Sequence, residues 1–150
     1  MFKHHKRKGQ SIVEMALIFP FFLLIIVGGI VDFGFAFYNA LALQQLTNDA
    51  AIFAAERCDV SAVTGNPRIT NFIANYQSPP MSWHTANIYN ATVTNLPMRD
   101  GSIMKSVSIS YNSQVYTPFY QTLVNAINGN PHIRITSKAV YKVPNVTKTR

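Results

Sequence analysis

The sequence has very little that could build a catalytic or metal site. Its 150 residues include one cysteine, Cys58, so an internal disulfide framework and a cysteine-rich zinc site are both excluded. The four histidines show neither the H-x-x-x-H nor the H-E-x-x-H spacing, and no phosphate-binding loop, dinucleotide-binding glycine motif or G-x-S-x-G motif occurs. We therefore expect no enzyme, no cofactor and no metal, and interpret Cys58 as a small packing residue at a helix end.

Charge is scarce as well, and it is unevenly placed. Charged residues make up 13% of the chain against 48% hydrophobic residues, which is too apolar for an ordinary soluble domain. Four of the 13 Lys and Arg residues precede residue 10, namely Lys3, Lys6, Arg7 and Lys8. The others are scattered, whereas a nucleic-acid interface needs clustered cations with aromatic side chains between them. We expect no nucleic-acid partner.

One long apolar run predicts a single membrane span. Residues 15–31 carry no charge, and Ser11 extends the run backwards past the lone Glu14. At about 1.5 Å per residue, a helix from Ser11 through Pro20 to Val31 is about 30 Å long, which matches the hydrocarbon thickness of a bilayer. We expect this segment to contact the lipid of the inner, cytoplasmic membrane.

The charges on either side of the run predict its orientation. The basic residues lie directly before it, and the next cation after it is Arg57. By the positive-inside bias, the N-terminus is cytoplasmic and everything beyond Asp32 is periplasmic or extracellular. Four aromatic residues that follow the run predict a belt at the outer interface: Phe33, Phe35, Phe37 and Tyr38.

Glu14 is the unusual residue of the span. A carboxylate inside an apolar run costs about 2.5–3.5 kcal/mol near the centre of a membrane helix, and less near its end, so it indicates a function with a partner. Gly9, the only glycine before the run, lies five residues earlier and suits a peptidase that requires a small residue. Cleavage between Gly9 and Gln10 would create an amine about one helical turn from Glu14. The amine of a neighbouring subunit could then neutralise the carboxylate.

The basic leader, Gly9, Glu14 and Pro20 together resemble type IV prepilins, and residues 9–57 resemble the TadE/TadG-like pseudopilins of the tight-adherence (Flp) pilus system. The resemblance implies cleavage after Gly9 by a prepilin peptidase and a helix that joins other pilin subunits. It also implies a minor component of an adhesive pilus. Met15 replaces an aromatic residue and Phe35 a basic residue that this family often has, which favours a minor subunit over the main one.

Two other interpretations stay open. The sequence Ala40-Leu41-Ala42 resembles a signal-peptidase site, so the chain could be a secreted protein cut after Ala42. The apolar run is, however, longer than the usual 7–15-residue core of a signal peptide and has Glu14 near its start. Alternatively, the chain keeps its whole N-terminus and is a membrane-anchored binding module.

We expect a leader over residues 1–9, a transmembrane and amphipathic helix over 10–57, and an exported α+β domain over 58–150. Along the helix, apolar residues spaced by 3, 4 and 3 form a stripe: Leu43, Leu46, Ala50 and Phe53. We expect this stripe to pack on the chain's own exported domain and favour that over contact with neighbouring subunits.

Within the exported domain, Asn66-Pro67 begins a short amphipathic helix that Ser78-Pro79-Pro80 ends. Alternating residues predict strands around 89–94, 106–111 and 133–143. Between the last two strands, a helix begins at Thr117-Pro118, stops at Gly129, and carries Phe119, Leu123 and Ile127 on one face. This pattern predicts a half-buried antiparallel sheet with helices on one face.

Overall fold

The computed structural model describes residues 6–57, 60–76, 88–99 and 101–144, and it has the predicted α+β architecture. Cys58, His84 and the Ser78–Pro80 stop signal lie outside the described residues. The elements follow in the order α1 Lys6–Glu56, α2 Pro67–Asn75, β1 Ile88–Pro97, β2 Ile103–Gln114, α3 Pro118–Asn128 and β3 His132–Lys142. The sheet has the order β1-β2-β3 and is antiparallel throughout.

Helix α1 contains 51 residues and is therefore about 76 Å long. It ends at Glu56, within one residue of the predicted end, and it passes through Pro20 without a break. It begins at Lys6, however, so the boundary expected between the leader and the helix does not coincide with a change of secondary structure. Lys and Arg favour helices, and one interior glycine costs only about 1 kcal/mol relative to alanine, so Gly9 does not end it.

The C-terminal half of α1 packs along the sheet, as the apolar stripe predicts. Leu43 and Ala50 are fully buried, Leu46 is almost so, and Phe53 stacks on Phe72 of α2. The sheet contributes core residues from β1, the centre of β2 and β3: Ala91, Val93, Val107, Ile109, Tyr111 and Ala139.

Helix α1 and strand β2 run antiparallel to each other over most of the domain. Lys105 Nζ contacts the backbone oxygen of Arg57, and Asn39 donates to Ser113 nearer the membrane segment. These two contacts are 18 residues apart on the helix and eight residues apart on the strand. Both separations amount to about 27 Å, which is why one straight helix and one straight strand stay in register.

The sheet differs from the expected half-buried pattern at its central strand. Val107, Ile109 and Tyr111 are buried against α1, but Ser106 and Ser110 on the opposite face are also buried. A serine side chain is short, and in a central strand it lies between neighbours on both sides. The Ser110 hydroxyl is also hydrogen-bonded to that of Thr136 across the β2–β3 pair.

Helix α2 begins as the sequence predicts. The Asn66 side chain accepts from the Arg68 backbone N–H at 2.9 Å, and Pro67 occupies the first turn. Ile69 and Ile73 point into the core.

Helix α3 has the predicted bounds, but it does not cover a face of the sheet. It connects the end of β2 to the start of β3 and contacts α1 within the apolar run. Gly129 ends it in the left-handed conformation, at φ +72°. None of its residues is buried, and its apolar residues Phe119, Leu123 and Ile127 point outwards. Helical periodicity identified this face correctly, but periodicity contains no information on what covers it.

Candidate functional site on the long helix

The residues expected at the processing site lie together near the start of α1. Gly9, Gln10, Ser11 and Glu14 are all exposed, and the Gln10 amide donates to a Glu14 carboxylate oxygen at 3.1 Å. Gln10 and Glu14 are four residues apart and so lie on one side of the helix. A Cβ placed on Gly9 would meet no atom within 4 Å. This part of the helix is therefore open to a large partner.

The expected span, from Ser11 through Pro20 to Val31, forms one continuous stretch of α1 with large apolar side chains facing outwards. Ile18, Phe22 and Ile30 are each 60% exposed or more. Among the described residues, α1 is the one helix long and apolar enough to cross a membrane, with a mean hydropathy of 2.5 over its most apolar window. Such a surface is stable only in lipid or against other apolar helices, and it fits a single-pass membrane protein.

Asp32 holds the start of α3 against α1. Its carboxylate is 6% exposed and accepts from the backbone N–H of Tyr116 at 2.9 Å, from that of Thr117 at 3.2 Å, and from the Thr117 hydroxyl. A negative charge at a helix N-terminus is favourable because the helix dipole is positive there. The sequence identified Asp32 only as the end of the apolar run. The missed signal is that an acidic side chain directly after a membrane span needs a partner.

Two glycines permit α3 to approach within the apolar run itself. A Cβ on Gly29 would lie 2.5 Å from the Tyr120 hydroxyl oxygen, and one on Gly28 would lie 3.2 Å from Thr117 Cγ2. The Tyr120 hydroxyl donates to the backbone oxygen of Ile25 at 3.1 Å. Residues 25–32 therefore form a docking surface for the first turn of α3, which we call the α3 seat.

A buried lysine holds the other end of the helix. Lys105 is 6% exposed and donates to the backbone oxygens of Arg57 at 2.9 Å and Val60 at 2.8 Å. The last carbonyls of a helix lack intrahelical partners, and a cation there is also favoured by the dipole. Lys105 lies two and four residues before Val107 and Ile109 in β2, so the three side chains lie on the same face of the strand. Lys105 is not among the residues that the sequence predicted for this strand, but extending the predicted alternation back by one residue would have placed it on the inward face.

Within the described ranges, no group of three or more His, Cys, Asp or Glu side chains is placed to hold a metal ion. His132 follows Pro131 at the start of β3, far in sequence from the predicted processing residues.

Residues 9–51 match the family model of TadE-like proteins, which confirms the resemblance seen in the sequence. The matched segment contains Gly9, Glu14, the apolar run and the α3 seat. No curated protein and no solved structure matches the chain. The match suggests a protein associated with the Tad pilus, whose TadE-like components are structural proteins and not enzymes.

Proposed function

We propose that this protein is a minor pseudopilin, a structural component or assembly factor of an adhesive Flp-type pilus. In this proposal a prepilin peptidase removes residues 1–9, and α1 remains in the cytoplasmic membrane and joins other pilin subunits. The domain that begins at residue 58 is then periplasmic or extracellular.

The observation that carries the proposal is the TadE-like match over residues 9–51. It begins at Gly9, the proposed cleavage residue, and contains the only acidic residue of the apolar run. The geometry gives support, since Gly9 and Gln10 are exposed and no atom of the described residues lies within 4 Å of a Cβ placed on Gly9. The outward-facing apolar side chains of α1 would suit either lipid or neighbouring helices.

The folded domain argues against secretion after Ala42. Cleavage there would separate Asp32 and Asn39 from their partners on the sheet side. It would also cut α1 next to Leu43, which is fully buried in the core. A binding module that keeps its leader would have the same fold, so processing is the property that separates it from a pseudopilin.

Cleavage is tested by the mature N-terminus of two matched variants in cells that contain the peptidase. Gly9→Val adds a branched side chain at the proposed scissile bond, and Ser11→Val adds one two residues away. Both positions are exposed, so neither change disturbs the fold. We expect Gly9→Val to keep Met1, whereas Ser11→Val and wild type begin at Gln10, as measured by intact mass and N-terminal peptides.

Other results would contradict the proposal. A Gly9→Val protein processed to the wild-type mass would remove the prepilin assignment. A wild-type chain that keeps Met1 would favour the anchored binding module, and one that begins at Leu43 would favour a secreted protein.

A further inference from the structure

Helix α3 presents an apolar face that no other element of the described chain covers. Phe119 and Leu123 are about half exposed and Ile127 is 74% exposed. They are spaced by four residues and form one strip along the 11-residue helix. Tyr116, just before the helix, is also half exposed and packs against Phe35 with ring centroids 5.1 Å apart. A short helix in water would lose stability by exposing such a strip.

The position of this strip along α1 indicates what covers it. The Tyr120 hydroxyl binds the backbone oxygen of Ile25, six residues before Val31, the predicted outer end of the span. Six helical residues correspond to about 9 Å. Amphipathic helices at membrane surfaces bury their apolar face about 5–10 Å into the boundary between headgroups and acyl chains. The start of α3 also contacts Asp32, just beyond Val31, so its contacts extend from the membrane boundary to about 9 Å inside it, which is the range of depth that such helices occupy.

The surface is also continuous with that of the span. A shallow apolar groove between α1 and α3 is lined by Ile26, Gly29, Phe33 and Tyr120, among others. Any lipid that covers Ile26 and Phe33 therefore reaches α3 without an intervening polar surface. On α3 itself, Thr122 and Asn125 are exposed on a different side of the helix from Leu123 and Ile127.

We propose that α3 is a membrane-interface helix, which lies in the leaflet next to the exported domain and buries Phe119, Leu123 and Ile127 among lipid acyl chains. The sequence of α3 contains no Lys or Arg, so its attachment depends on apolar burial and not on anionic headgroups. The end of the sheet at Gln114 and His132 then faces the membrane, and the β1–β2 turn points away from it. The inference rests on the membrane span and not on the pilus role.

The test uses the full-length chain with Cys58→Ser in vesicles of phosphatidylcholine alone. Single cysteines are introduced by Leu123→Cys and Ile127→Cys on the apolar strip, by Asn125→Cys on the polar side, and by Leu24→Cys in the span. Each carries an environment-sensitive fluorophore, which is quenched from the lipid by acyl-chain nitroxides and from the water by iodide. All four positions are exposed on the protein surface, so a label at any of them does not disrupt the core.

We expect strong nitroxide quenching and weak iodide quenching at positions 123 and 127, and the reverse at position 125. Equal iodide access at 123, 127 and 125, with position 24 still quenched from the lipid, would overturn the inference while leaving the span intact. Protection at 123 that disappears when fewer chains are present per vesicle would also overturn it, since a second copy would then be the cover.

A second measurement needs no substitution at all. Wild-type protein in vesicles that contain a photoactivatable phosphatidylcholine is irradiated, and the lipid-modified peptides are identified by mass spectrometry. We expect adducts within residues 119–127 in addition to those of the span. Adducts in the span alone would contradict the proposal.

Discussion

Docking of α3 on α1 depends on the absence of a side chain at Gly29, and one methyl group tests this. In Gly29→Ala the new Cβ would lie 2.5 Å from the Tyr120 hydroxyl oxygen and 3.0 Å from its Cζ atom. Ordinary carbon contacts begin near 3.4 Å, and an aromatic ring cannot bend away. The tyrosine must therefore move as a whole, and it loses its hydrogen bond to the Ile25 backbone oxygen.

Gly34→Ala provides the matched control. It adds the same methyl group to the same helix, but no atom lies within 4 Å of its position. Both changes gain the helix propensity of alanine over glycine, about 1 kcal/mol, so this gain cancels in the comparison. The difference in docking free energy between the two variants contains a hydrogen bond worth about 1 kcal/mol and a steric cost of about 1 kcal/mol, at the low end of overpacking because Tyr120 is only partly buried. We expect Gly29→Ala to weaken α3 docking by about 2 kcal/mol relative to Gly34→Ala.

Hydrogen exchange of the amides in residues 118–128 measures this docking in lipid nanodiscs. Since 1.4 kcal/mol corresponds to a tenfold change, 2 kcal/mol predicts roughly 30-fold faster exchange in Gly29→Ala than in Gly34→Ala. Gly28→Ala should fall between them, because its Cβ would lie 3.2 Å from a methyl group of Thr117, which needs to move by only a few tenths of an ångström. Equal exchange rates in the Gly29 and Gly34 variants would refute the reasoning.

Substitutions at three further positions test the two ends of α1 and its junction with the domain. Asp32→Ala leaves the N–H groups of Tyr116 and Thr117 without their acceptor, which costs about 2–4 kcal/mol. The amides of α3 should therefore exchange faster by a corresponding factor. Unchanged exchange would show that other contacts hold α3 on α1. Lys105→Met removes the donor to the carbonyls at the end of α1 and should lower the free energy of unfolding in urea by about 1–3 kcal/mol. An unaltered urea midpoint would show that these hydrogen bonds do not stabilise the fold. The Glu14→Gln and Glu14→Leu proteins should insert into the membrane and be cleaved normally, but smaller amounts of other pilus subunits should co-purify with them. Wild-type recovery of these subunits with both variants would contradict charge pairing at Glu14.

Local sequence signals predicted the elements of this fold well. The Asn66-Pro67 start of α2, the Thr117 and Gly129 limits of α3, and the inward stripe of α1 each depend on a few neighbouring residues. Such signals act through backbone conformation and side-chain periodicity, which are the same wherever the element lies. The inward orientation of Leu43 could therefore be predicted without knowledge of the residues that it contacts.

The contacts that define the α3 seat could not be predicted in this way. Asp32 meets Thr117 across 85 residues of chain, and Tyr120 reaches Ile25 across 95. Neither residue has a sequence neighbour that indicates the pairing, because the pairing results from the antiparallel course of α1 and β2. The same geometry carries α3 into the region of the membrane span, where an outward apolar face is favourable.

The position of α3 also limits how a neighbouring subunit can use Glu14. Asp32 and Glu14 are 18 residues apart, which is five turns of 3.6 residues, so they project from the same side of α1 and lie about 27 Å apart along it. A neighbour whose amine pairs with Glu14 would therefore approach in the opposite leaflet, beneath α3. The side of α1 opposite Gly28, Gly29 and Asp32 carries Leu23 and Val27, both about half exposed. Helix packing on that side would make no contact with α3, and pairing at Glu14 would take place in the opposite leaflet. Loss of α3 docking in Gly29→Ala should consequently leave subunit recovery at the wild-type level, whereas a parallel loss of both would place α3 itself in the contact between subunits.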